Sequence, residues 1–116
     1  MTAAPYSLTA LVPADAFALT AGEPVIGGLK DPSQQHHFCP ECLSWLYTQV
    51  AGAPFVNVRA VLLDGPRFTV PYIETMTRER LAWVRTPAQH SFAGFPAQEE
   101  LEALVAGYAA WRQAAP

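Results

Sequence analysis

Cys39 and Cys42 are the only cysteines in the chain, and they stand together in the run Phe38-Cys39-Pro40-Glu41-Cys42. A C-x-x-C at a hairpin tip can present both thiolates to one tetrahedral zinc, because the short turn aims the two sulfurs at a common point. A closed structural site needs further ligands, and the remaining soft donors are His36, His37 and His90. His37 and Cys39 lie two residues apart on an extended segment and so share a face, which allows a site of His37, Cys39 and Cys42. A reduced, metal-free pair and an occasional local disulfide compete with that reading. In either of these, His36 and His37 are ordinary half-exposed strand residues and His90 is an exposed loop residue. The cysteine spacing is too short to staple distant parts of a fold, so in a reducing compartment it points to metal binding or thiol redox chemistry. Catalysis by either thiol would need a lowered pKa. No Ser/His/Asp spacing, glycine-rich phosphate loop or HExxH motif accompanies the pair, so no residue is assigned as catalytic.

Asn57 and Arg59 interrupt the most apolar stretch of the chain. A buried, unpaired arginine is costly, so Arg59 is expected to pair with Asp64 or Glu74, as a structural ion pair in preference to a substrate contact. Trp45, Tyr47, Tyr72 and Trp83 are expected to pack in or beside the core of a small β domain and not to line a groove. Glu99 and Glu100 read as a solvated helix start, not as an acid/base pair.

The elements that must position these residues follow from local patterning. Tyr6–Val12 alternates and is closed by Pro13, which predicts a strand and a turn over Pro13-Ala14-Asp15-Ala16. Phe17–Thr20 and Val25–Leu29 are predicted as short strands, the latter weakened by Gly27 and Gly28. The segment from Gln35 to Phe38 and the strand Trp45–Val50 form a hairpin with the cysteines at its tip. Phe55–Leu63 is the strongest strand and belongs in the interior of the sheet. Phe68–Ile73, with Pro71 inside it, reads as an edge strand. Thr75–Val84 reads as a helical turn leading into a strand, and Thr86–Phe95 as a loop anchored by Phe92 and Phe95. Leu101, Leu104, Val105, Tyr108 and Trp111 recur at helical spacing, predicting a C-terminal helix over residues 97–113. The expected fold is a mainly β, small mixed-sheet domain spanning residues 1–116, with one C-terminal α-helix.

Composition narrows the partners. Hydrophobic residues make up 51% of the chain and charged residues 15%, enough apolar material for a core and no signature of disorder. The net charge is −3 with scattered basic residues, which argues against nucleic acid. No apolar run approaches the roughly 20 residues that span a bilayer. The N-terminus lacks a signal-peptide pattern, so a cytoplasmic location is expected.

Several features in order carry a resemblance to a known family. They are Pro13-Ala14-Asp15-Ala16-Phe17 with Ala21-Gly22-Glu23-Pro24, then Phe38-Cys39-Pro40-Glu41-Cys42-Leu43-Ser44 and Trp45-Leu46-Tyr47. Val56-Asn57-Val58-Arg59-Ala60 with Leu63-Asp64, and then Arg80-Leu81-Ala82-Trp83, follow. From about Ala4 to about Phe95 the chain resembles the glutathione-dependent formaldehyde-activating, centromere-protein-V-like family. The resemblance implies a mixed β fold with two zinc ions and a carbon–sulfur lyase activity of the S-hydroxymethylglutathione synthase type, acting on glutathione–aldehyde adducts. It also implies that Cys39 and Cys42 match the C-x-x-C half of the structural zinc site. The other half, a C-x-C pair, and the C-x-C-x-x-C motif of the second zinc precede a segment like Ala4–Thr9 in that family and have no counterpart here. This chain is therefore expected to be inactive as it stands, and Met1 is read either as the start of a divergent member or as a truncated start. Leu43 replaces the glycine that the family favours after the knuckle. Since leucine adopts φ > 0 at a cost of roughly 1–2 kcal/mol, the turn is expected to relax. Expected partners are a small thiol such as glutathione and, through an open sheet edge, a second copy of the chain. A non-catalytic interaction module and a C-x-x-C thiol-redox protein are the alternatives.

Overall fold

The computed structural model describes residues 4–114 and divides the chain into two compact units, Met1–Asp64 and Gly65–Pro116. The fold is mainly β, as expected, with one α-helix among the described residues. No helix among them is long and apolar enough to cross a membrane.

The first unit is a five-stranded antiparallel sheet in the order β1-β5-β4-β3-β2. Its strands are β1 (Thr9–Pro13), β2 (Val25–Asp31), β3 (Gln34–Phe38), β4 (Trp45–Val50) and β5 (Phe55–Arg59). β4 has the predicted bounds because its aromatic and β-branched residues suit a pleated surface, and Ala51-Gly52 turns the chain tightly, with Gly52 at φ 74°. β5 lies inside the sheet as expected but stops at Arg59. Ala60–Leu62 winds into a 3-10 turn that buries Ala60, so the strand is shorter than its apolar run suggested. Phe17–Thr20 is not a strand; the Phe17 ring instead packs on Tyr47 at 4.8 Å between centroids. Tyr47, Val56 and Ala60 are the buried apolar residues of this unit.

The hairpin of β2 and β3 is irregular. Its register shifts between Gly27 and Asp31, where Gly28 (φ 68°) and Lys30 (φ 53°) adopt left-handed conformations. Gly27 sits against the Phe38 ring, and a Cβ there would lie 2.9 Å from it. The missing side chain is what lets the ring lie across the edge strand.

The second unit contains the two-residue parallel pair β6 (Ile73–Glu74) and β7 (His90–Ser91), together with α1 (Gln98–Ala114). The expected strand over Phe68–Ile73 is instead a 3-10 turn at Pro66–Thr69 followed by β6. Thr77–Glu79 is the predicted helical turn, but no strand follows it. Trp83 is 71% exposed, and of the two expected anchors only Phe92 is half-buried, since Phe95 is 78% exposed. At the start of α1 the Glu100 carboxylate accepts the Ala97 N–H at 2.9 Å. This is the reciprocal half of a capping box, so Glu100 has a structural task beyond solvation. Leu104 is buried, and Tyr108 and Trp111 pack on Tyr72 at 5.5 and 5.1 Å. Val105 is 56% exposed and lies off the packed face.

Candidate functional site: a cysteine knuckle beside a polar sheet face

The cysteines occupy the tip of the β3–β4 hairpin, as predicted. The Cys39 N–H donates to the Ser44 carbonyl and the Leu43 N–H to the Cys39 carbonyl, both at 2.9 Å. These two bonds close the loop and force Leu43 to φ 58°. The expectation that leucine would relax the turn is corrected: the bond to Cys39 requires the left-handed residue, and the loop keeps it. Leu43 is 66% exposed, so its side chain gains little burial in return.

Both thiols are free, Cys39 half-buried and Cys42 exposed. The Cys42 sulfur lies 3.2 Å from the Ser44 hydroxyl. Bonds from the Ser44 hydroxyl and backbone, and then from the Cys39 thiol, hold Cys42 below the ordinary cysteine pKa. Hydrogen bonds to the charged form favour ionisation, so this hairpin tip stabilises a thiolate.

His37 does not join the cysteines. Its ring stacks on Tyr47 at 4.4 Å and 11° between planes. β3 also ends at Phe38, so Cys39 belongs to the turn and leaves the strand alternation that would have placed it on the face of His37. Among the described residues no group of three or more His, Cys, Asp or Glu side chains comes together as a metal site. Two thiols do not fill a zinc coordination sphere, so these residues do not fit a complete site on their own. His90 lies in the second unit, where it contacts the Tyr72 hydroxyl at 3.2 Å.

On the neighbouring strands a polar cluster surrounds Trp45. The Trp45 indole N–H donates to Thr48 Oγ1 at 2.9 Å, and His36 Nδ1 lies 2.7 Å from the same oxygen. With the indole proton directed at Thr48, the hydroxyl proton is available to His36 Nδ1. When the hydroxyl donates to Nδ1, the neutral His36 ring carries its proton on Nε2. Burial first, and then the neighbouring His37, push the His36 pKa below its usual value, against a weaker opposing pull from Asp31. The Arg59 guanidinium lies over the Trp45 ring, 5.0 Å from its centroid. The expected ion pair with Asp64 or Glu74 is therefore corrected. Glu74 is held instead by Arg80 at 3.2 Å and by the hydroxyls of Thr86 and Ser91, each at 2.7 Å. Sequence spacing could not have revealed the Arg59–Trp45 stack, because it depends on the bulge that offsets Trp45 against Phe38.

Comparison with protein families, curated proteins and solved structures finds no match to this chain.

Proposed function

We propose that this chain is a relative of the glutathione-dependent formaldehyde-activating family in which the Cys39–Cys42 knuckle serves as a two-thiolate zinc ligand and not as part of a complete catalytic centre. The supporting observation is the shape of the hairpin tip: Leu43 is held at φ 58° by the bond to Cys39 although leucine disfavours that conformation. The left-handed leucine closes the turn that carries both cysteines at one tip, at a cost of roughly 1–2 kcal/mol. The order of motifs from Pro13 to Trp83 supports the family reading, and carbon–sulfur lyase chemistry on glutathione–aldehyde adducts is the activity that reading implies. With no further ligand beside the two thiols among the described residues, this knuckle is a linking element whose coordination sphere is completed by a second copy of the chain.

Zinc titration of the metal-free protein, followed by mass determination in solution, tests this reading. Half an equivalent of zinc per chain with a zinc-dependent dimer, both lost in Cys42→Ser, is the expected result. Absence of zinc binding, or glutathione-dependent consumption of formaldehyde by the chain with bound zinc, would overturn it. A second reading, thiol redox exchange, is favoured by one observation, the exposed and acidified Cys42 thiol beside Cys39. Disulfide reductase activity that disappears in Cys39→Ser would support that alternative.

A further inference from the structure

We propose that Arg59, His36 and Asn57 form a binding site for a small oxyanion, a carboxylate or phosphate group, on the face of the sheet that carries Trp45. Arg59 Nη1 is buried and has no hydrogen-bond acceptor. Arg59 as a whole is half-buried, and one buried guanidinium nitrogen left without an acceptor costs about 1–3 kcal/mol. The stack on Trp45 recovers about 0.5–2 kcal/mol, which leaves the planar fork short of the acceptor it is built to bind.

The neighbouring strands supply donors and no unengaged carboxylate. Asn57 is two residues before Arg59 on β5 and shares its face. It is the register partner of Thr48 on β4, which is in turn the partner of His36 on β3. His36, Thr48 and Asn57 therefore form one row across three strands. Thr48 is occupied by Trp45 and His36, and in the tautomer that accepts at Nδ1 the His36 ring has an Nε2 proton to donate. β1, β3, β4 and β5 carry no Asp or Glu at all. The acidic residue of β2, Asp31, is engaged by the Ser33 hydroxyl and N–H. Arg59 is the sole charged side chain of those four acid-free strands, so the local field favours an anion. Trp45 and Asn57 are half-buried, a setting in which a charge-assisted bond is stronger than in open solvent.

The test titrates the full chain, in metal-free buffer, with acetate in one arm and inorganic phosphate in the other, each against chloride at equal ionic strength. The signals read are the Arg59 side-chain and Trp45 indole N–H resonances. Saturating shifts with one or both oxyanions, absent with chloride, are expected, and the arm that responds identifies the group. Arg59→Met should abolish the saturating response. Arg59→Lys keeps the charge and loses the fork, and should weaken binding by roughly tenfold or more; it also serves if the methionine variant does not fold. Flat titrations in both arms, or an indole response unchanged in either variant, would overturn the assignment.

Discussion

Thr48 is 3% exposed and its hydroxyl joins polar groups of two strands, β3 and β4, so Thr48→Val is the sharpest single perturbation of the sheet. The substitution keeps the shape and removes one oxygen. It leaves His36 Nδ1 and the Trp45 N–H without their partner. An unsatisfied buried group costs about 1–3 kcal/mol, with Trp45 at the lower end because it is only half-buried. The added methyl returns about 0.8 kcal/mol of burial. The net expectation is a destabilisation of about 2 kcal/mol, which at a urea slope of about 1–2 kcal/mol per M moves the unfolding midpoint down by about 1–2 M. Urea unfolding of the wild type, Thr48→Val, His36→Phe and the double variant forms a cycle that isolates the pair. A coupling of about 1 kcal/mol is expected for a bonded, buried pair. If Thr48→Val costs under about 0.5 kcal/mol, or costs the same with and without the His36 imidazole, the polar row does not hold the sheet as argued.

Four further outcomes are expected. Because folding depresses the His36 pKa below its usual 6.5, stability should fall as pH drops from that value toward the folded pKa, and His36→Phe should flatten this part of the stability profile. Glu74 is also depressed, by Thr86 and Ser91 first and then Arg80. Its contribution should be present above the usual 4.5 and lost as pH falls through the folded value, and Glu74→Gln should cost about 1–2 kcal/mol in thermal unfolding at neutral pH. Gly107→Ala should destabilise, although alanine normally favours a helix interior by about 1 kcal/mol, because the new Cβ would lie 2.7 Å from a Tyr72 hydroxyl whose ring is fixed among Tyr108, Trp111 and His90. Ser44→Ala should move the pH profile of Cys42 alkylation upward, as followed by mass spectrometry.

Elements whose residues act locally were legible in the sequence. The period of Leu101, Leu104, Tyr108 and Trp111 located α1 to within a residue at each end, and the aromatic run Trp45–Val50 fixed β4. The failures came where tertiary contacts override local preference. Phe17 looks like a strand former but spends its ring on Tyr47, and the apolar run beyond Arg59 serves a 3-10 turn that buries Ala60. Trp83 has the composition of a core residue and the position of a surface one. At the site, the hairpin tip followed from Pro40 and the cysteine spacing. Separation of His37 from the cysteines did not, because β3 ends at Phe38 and its alternation does not extend into the turn that carries Cys39. Arg59 was singled out for the right reason, its position in an apolar strand, but an aromatic face took the place of the expected carboxylate.

Glu74 sits in a strand two residues long, a pairing too short to persist by itself. Its carboxylate ties that strand to Arg80, Thr86 and Ser91, and around it the Met76, Thr77 and Phe92 amides donate to Gly94, Phe92 and Glu74 carbonyls. These segments are therefore bound both to the Glu74 carboxylate and to one another through backbone bonds. Opening at any one of them removes support from the rest, so the region should exchange its amide hydrogens as a single cooperative unit, with common protection at Met76, Thr77 and Phe92. Neutralising one carboxylate would convert that concerted opening into independent fraying of each segment.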